Sequence, residues 1–91
     1  MDNHDELAIA TLGKLPGLGD PALVRTYYVH RVAKGGKDQM VTVKVFDHGP
    51  AVHPDSRFDC SATSDDGKGM SGNSARTIDA ALAIAHWFDL D

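Results

Sequence analysis

Asp47, His48, His53 and Asp55 fall within one short stretch, Asp47-His48-Gly49-Pro50-Ala51-Val52-His53-Pro54-Asp55. Two imidazoles and two carboxylates are a donor set suited to zinc or a similar ion. Their spacing matches no metal motif, and two prolines and a glycine break the stretch. It reads as a polar surface loop, and no metal or other cofactor is expected. Ser56, Ser61, Ser64, Ser71 and Ser74 include no Gly-x-Ser-x-Gly elbow, so nucleophilic catalysis has no visible centre. Gly67-Lys68-Gly69-Met70-Ser71-Gly72 has the composition of a phosphate loop but not the order Gly-x-x-x-x-Gly-Lys-Ser/Thr. The start of a helix near Asn73–Thr77, with Arg76 beside it, could attract an anion. A glycine-rich turn followed by a helix cap is the plainer reading. With no catalytic constellation, the chain is not expected to be an enzyme.

Cys60 is the only cysteine, so an intrachain disulfide and a multi-thiolate metal site are excluded. It alternates with Phe58 and Ala62 and reads as a small buried filler. Asp89 and Asp91 put negative charge at the end of a helical pattern, against the helix dipole. A frayed, solvated tail is the first expectation. A docking patch of Trp87, Phe88, Asp89 and Asp91 is the functional alternative.

The elements that must carry these residues follow from periodicity. Asn3 and Glu6 have capping-box spacing, and Leu7, Ala8, Leu12 and Leu15 recur near helical intervals. A short helix over about residues 4–13 is expected, ended by Leu15-Pro16-Gly17. Thr26 to Val32 is β-branched and aromatic, and Val41, Val43 and Val45 alternate with Met40, Thr42, Lys44 and Phe46. Gly35-Gly36 between two such runs predicts a tight hairpin. Phe58, Cys60 and Ala62 mark a third strand, and Met70-Ser71 can add a few extended residues. Ile78, Ala81, Leu82, Ala85 and Phe88 form the stripe of a last helix, over about residues 75–88 and capped by Asn73 or Ser74.

The expected fold is α+β, in the order α-β-β-β-α. A three-stranded antiparallel meander packs on a C-terminal helix, with a short N-terminal helix before it. Residues 1–24 hold the N-terminal helix and turn, 25–63 the sheet and 73–89 the last helix, all in one domain. Val41, Val43, Val45, Phe58, Cys60 and Ala62 should meet Ile78, Leu82 and Ala85.

A two-residue turn at Gly35-Gly36 would set Lys34 against Lys37 and His30 against Val41. That register puts His30, Tyr28 and Thr26 under the helix, with His30 as a hydrogen-bonded core histidine. Arg25, Tyr27, Val29 and Arg31 then share the far face with Met40, Thr42, Lys44 and Phe46. Either residues 7–24 or a partner must cover so apolar a face. A one-residue slip would exchange the two faces.

Composition sets the outer bounds. A chain of 91 residues affords one core, and 42% hydrophobic with 24% charged residues is ordinary for a folded domain. The formal net charge is −4, but Arg25, Arg31, Lys34, Lys37 and Lys44 stand against Asp38 alone in residues 25–44. The overall balance argues against general nucleic-acid binding, while this basic block keeps it open. No apolar run is long enough to span a bilayer. The N-terminus is acidic rather than basic-then-apolar, so a cytoplasmic address is expected.

The α-β-β-β-α order, with Gly67-Lys68-Gly69, Ser74-Ala75-Arg76 and Ala80-Ala81-Leu82-Ala83, resembles the double-stranded-RNA-binding domain over roughly residues 26–88. That resemblance implies nucleic-acid contact from the start of the last helix. There, Asn73-Ser74-Ala75-Arg76 supplies one base where that family carries paired lysines. In style the chain is also similar to small accessory proteins of actinobacterial phages, being short, rich in Asp, Ala and Gly, and ending Trp87-Phe88-Asp89-Leu90-Asp91. That similarity implies binding to a host or phage macromolecule.

The expected function is therefore a non-enzymatic protein-binding module, an adaptor or inhibitor. Its contact residues are Arg25, Tyr27, Arg31, Lys44, Phe46 and Trp87. Nucleic-acid binding through the basic and aromatic hairpin 25–46 is the alternative. A homodimer through the open sheet face is a further expectation.

Overall fold

Helix α1 spans Asn3–Lys14. Its cap is Asp2 rather than Asn3: the Asp2 side chain accepts from the Asp5 N–H at 3.0 Å. The computed structural model describes residues 2–91. Strand β1 is Leu23–Val32, β2 is Asp38–Asp47, β3 is Phe58–Ser64 and β4 is Gly69–Ser71. Helix α2 is Ile78–Ala83, and short 3-10 turns occupy Pro54–Ser56 and Trp87–Leu90. The α+β class stands, and the sheet is antiparallel in the order β1-β2-β3-β4. It has four strands rather than three, because Met70-Ser71 pairs with β3 through Ala62↔Met70.

The hairpin register differs from the sequence expectation by one residue. His30 faces Met40, Val29 faces Val41 and Tyr27 faces Val43. Ala33 N–H donates to Lys37 O at 2.7 Å, and Gly36 N–H donates to Ala33 O at 3.0 Å. Three residues rather than two make the turn, and both Gly35 and Gly36 adopt positive φ, which glycine tolerates without strain. The slip moves every side chain of β1 to the other face. Arg25, Tyr27, Val29 and Arg31 now lie on the α2 side with Val41, Val43 and Val45. Thr26, Tyr28 and His30 lie on the far side with Thr42, Lys44 and Phe46. His30 is thus no core histidine; it is exposed and pairs with Asp38 at 3.2 Å.

The core sits between the sheet and the C-terminal segment. Val41, Val43, Val45, Cys60, Ala62, Met70, Ala85 and Leu90 form its buried cluster, flanked by Ile78, Leu82 and Trp87. The expected meeting of Val41, Val43, Val45, Cys60 and Ala62 with Ile78, Leu82 and Ala85 is realised, whereas Phe58 stays outside the cluster. That helix is shorter than expected and starts later. Phe58 and Ala75 exchange N–H···O bonds at 3.0 and 2.8 Å, and Gly72 N–H donates to Cys60 O at 2.9 Å. Residues 72–75 are therefore spent on β3, and Thr77 becomes the cap of α2, accepting from the Ala80 N–H.

Gly72 is where the chain turns from sheet to helix at closest approach. A Cβ there would fall 3.3 Å from Ala85 Cα, Ala85 Cβ and Cys60 Sγ. Backbone and core cannot both give way, so Gly72→Val is expected to cost about 1–3 kcal/mol through overpacking. A urea midpoint unchanged by the substitution would show that this contact yields freely.

The C-terminal tail is not frayed. Leu90 is fully buried, and Asp91 pairs with Arg31 at 2.7 Å and accepts from the Lys34 N–H at 3.1 Å. Helix α2 has already ended at Ala83, so the acidic tail does not sit on its C-terminus. At the other end, α1 buries no residue. Ile9 lies against Gly49, but α1 does not serve as a second layer on the sheet. The radius of gyration is 15.0 Å, against about 12 Å for a compact chain of this length. No helix among the described residues is long and apolar enough to cross a membrane.

Candidate functional site

Helix α2 has only six residues and stands over β3, while the Trp87–Leu90 turn packs on β4. Cys60 Sγ approaches Ala81 O at 3.7 Å, and the close contact of Gly72 with Ala85 holds the helix to that side. Strand β1 is left without a roof. Between it and the helix lies an apolar groove of about 540 Å³, lined by Tyr27, Val29, Val43, Ile78, Leu82 and Trp87. Tyr27 is 45% exposed at its mouth. The Trp87 indole N–H donates to Leu82 O at 2.8 Å, which fixes the ring as one wall.

Two residues beyond Val29, on the same face of the hairpin, lies a polar and tightly bonded cluster. Gln39 is 1% exposed, on β2 directly opposite Arg31. Its Oε1 accepts from Arg31 Nη1 at 3.0 Å, and its Nε2 donates to Leu90 O at 2.6 Å and to Asp66 Oδ2 at 3.2 Å. Asp66 also accepts from Ser64 Oγ and from Lys37 Nζ. These donors, Ser64 first and then Lys37, hold the Asp66 carboxyl well below its usual range. The Arg31 guanidinium, with the Lys34 N–H, does the same for Asp91. Arg31 is thereby committed to the fold, whereas Arg25 is exposed, next to Tyr27 on the groove face.

Of the residues expected to form one contact surface, Arg25, Tyr27, Arg31 and Trp87 share the α2 side. Lys44 and Phe46 lie on the opposite face, so the hairpin residues do not form one cluster. That opposite face is apolar as well: Val24, Tyr28, Val32 and Met40 are exposed on it, Tyr28 at 75%. Val29, Val43, Ile78 and Leu82 were not expected at a site. The one sequence signal for them is the pairing of Tyr27-x-Val29 with the β2 valines, which only the correct register reveals.

Strand β1 is the edge of the sheet, with eight of its ten residues exposed, the other two half-buried, and no strand beyond it among the described residues. His48 N–H donates to Arg57 O and Asp65 N–H to Met40 O, so the even-numbered residues of β2 bond to β3. The odd-numbered ones therefore bond to β1. By the same alternation Val24, Thr26, Tyr28, His30 and Val32 turn their N–H and C=O groups outward. Among the described residues no strand receives them.

The histidine and aspartate loop does not converge. His48 pairs with Asp59 at 3.0 Å, His53 caps the Pro54–Ser56 turn, and Asp47 pairs with Arg57 at 3.0 Å. Burial pushes the Asp47 carboxyl upward, but Arg57 and the Gly49 N–H outweigh it and the net shift is down. Asp55 is taken by Arg76, the base expected at an anion site. Among the described residues no three His, Cys, Asp or Glu side chains gather as a metal site. Burial raises the Cys60 thiol, with Asp59 adding to the shift, which suits a filler rather than a nucleophile. Comparison with protein-family models, curated proteins and solved structures gives no match to this chain.

Proposed function

We propose that this chain is a non-enzymatic protein-binding module that takes an extended segment of its partner along β1. The observation that carries this reading is an uncovered edge strand lying beside an apolar groove. Main-chain groups of the added segment would pair with the outward N–H and C=O groups of Val24, Thr26, Tyr28, His30 and Val32. Every second side chain of that segment would point towards the groove. Backbone pairing then supplies affinity and the pocket supplies selection, as in other strand-addition recognition. Native proteins usually blunt such an edge with proline, lysine or a bulge. Strand β1 has none of these: its sequence is Leu23-Val24-Arg25-Thr26-Tyr27-Tyr28-Val29-His30-Arg31-Val32.

Nucleic-acid binding through the hairpin would need Arg25, Tyr27, Lys44 and Phe46 on one surface, and the register divides them between two. The protein-binding reading is therefore preferred, with nucleic acid as an outcome of the test.

Panning a displayed peptide library against the protein tests the proposal. Enriched peptides are expected to carry apolar residues at alternate positions. They should bind Tyr27→Ala at least ten-fold more weakly, with the circular dichroism spectrum of that variant unchanged. Enrichment without period-two patterning, or equal binding to Tyr27→Ala, sinks strand addition at this groove. A parallel gel shift with single- and double-stranded RNA and DNA reads the alternative. Retardation that weakens steeply with salt would favour it.

A further inference from the structure

Strand β1 carries two cations on its groove face, Arg25 and Arg31, and their surroundings differ. Arg31 pairs with Asp91 at 2.7 Å and donates to Gln39 Oε1 at 3.0 Å. Arg25, two residues before Tyr27, is exposed and makes no ion pair among the described residues. Asp79, the acid of the helix that walls the groove, is engaged at its own cap. The Thr77 hydroxyl first, then the Asp79 and Ala80 N–H groups, lower its carboxyl. Tyr27 and Val29 lie between the two arginines and line the apolar groove. The groove face of β1 thus holds an uncompensated positive charge before Tyr27 and a compensated one beyond Val29.

This asymmetry selects among the segments that β1 could receive. The odd-numbered residues of β1 turn their N–H and C=O groups to β2, so towards an added antiparallel strand they are non-hydrogen-bonded positions. Facing side chains approach most closely at such positions. A base set against Arg25 is destabilising there, and an acid is stabilising. Against Tyr27 and Val29 the incoming side chains meet the apolar groove. Against Arg31 no acid is required, since Asp91 already supplies one. On the other face of β1, Thr26 and Tyr28 carry no charge and His30 is paired with Asp38 at 3.2 Å, so that face selects no comparable charge.

We propose that the segment received by β1 is acidic at one end. It sets an aspartate or glutamate against Arg25, two residues from the first of two apolar side chains that fill the groove over Tyr27 and Val29. Antiparallel addition gives the order apolar-x-apolar-x-acid along the segment, and parallel addition gives the reverse. The proposal rests on the docking reading of β1 and names the chemistry of its partner: an extended acidic and apolar peptide segment.

Panning one displayed peptide library against wild type, Arg25→Glu and Arg25→Gln tests it. Arg25 is exposed, so both variants are expected to keep the wild-type circular dichroism spectrum. Wild type should enrich aspartate or glutamate two positions from the apolar pair. Arg25→Glu should enrich lysine or arginine at that position and keep the apolar pair. Arg25→Gln should keep the apolar pair and select neither charge. A peptide enriched on wild type, compared with its form carrying lysine in place of the acid, should bind wild type about ten-fold more tightly. That order should invert on Arg25→Glu, and the gap should shrink as salt rises to about 0.5 M. Period-two apolar peptides with no acid at that position overturn the acidic partner and leave strand addition standing. The same charge enriched on wild type and on Arg25→Glu does so too. No period-two enrichment on wild type removes strand addition, and the acidic partner with it.

Discussion

Truncating Leu90 to alanine is expected to lower the unfolding free energy by about 2–5 kcal/mol, the range for a buried leucine whose cavity cannot fully collapse. The buried apolar cluster is built mainly from small side chains: Val41, Val43, Val45, Cys60, Ala62 and Ala85. Among the described residues Leu90, at 0% exposure, is the largest fully buried side chain. Met70, on the strand that packs against this turn, can fill only part of the space, and the remaining members of the cluster are short or held in the sheet. The 3-10 turn Trp87–Leu90 exists to deliver this residue, and Leu90 O is also the acceptor for Gln39. A domain of this size has about 5–10 kcal/mol in all, so the loss is a large fraction of the total. Urea denaturation followed by Trp87 fluorescence measures it. Phe88→Ala, at a neighbouring but 68% exposed position, is expected to change stability by no more than about 0.5 kcal/mol. A Leu90→Ala cost below 1 kcal/mol, on the order of a surface change, would mean that the C-terminal segment is not docked as described.

The parts of the fold legible from the residues are those where a pattern had one reading. Strand β2 alternates between valines and polar or flexible side chains, so its buried face follows at once, and the β3 face follows from Phe58, Cys60 and Ala62. Strand β1 has no such alternation. Val24, Tyr28 and Val32 on one face are as apolar as Tyr27 and Val29 on the other. Its face depended wholly on the turn, and two consecutive glycines are compatible with loops of either two or three residues. The same double-sidedness that hid the register makes β1 a candidate docking strand. The late start of α2 was illegible for another reason. Asn73 and Ser74 are good caps locally, but pairing of Gly72 and Ala75 with β3 takes their backbone first. Helix preference is a weak term, and tertiary pairing overrides it. The acidic tail misled similarly: its partners Arg31 and Lys34 lie far away in sequence and only the hairpin brings them near. Nothing in Lys37-Asp38-Gln39 marks Gln39 as the buried member, because its partners come from three separate segments.

Replacing Gln39 by glutamate exchanges one amide nitrogen for oxygen and is expected to be among the most damaging single changes in the chain. The Gln39 Nε2 amide donates to Leu90 O and to Asp66, two acceptors that have no use for a second acceptor. A carboxylate at this position would leave Leu90 O without that donor and stand at hydrogen-bond distance from the Asp66 carboxylate. Arg31 would still serve one oxygen. An incompletely compensated buried charge costs about 3–5 kcal/mol, and that is the expected loss at pH 7. The sign of the pH response then separates this mechanism from simple misfolding. In wild type, Asp66, Asp91 and Asp47 all titrate below their usual range. Their contribution is fully present above the ordinary carboxylate range and is lost as pH falls below that range towards their lowered folded-state values. In Gln39→Glu, two carboxylates share one site and at least one proton is held more tightly in the folded state than in the unfolded one. Protonation restores a donor towards Leu90 O or Asp66, so the variant regains stability as pH falls from 7 towards the carboxylate range. The wild-type and variant stability curves should therefore converge on acidification. Denaturant melts at a series of pH values between neutrality and the acid limit read this directly, with Gln39→Leu as the control that lacks a titrating group. A gap between wild type and Gln39→Glu that stays constant with pH would show that Gln39 does not bridge Leu90 and Asp66, and with it would go the polar lock that holds the C-terminal segment.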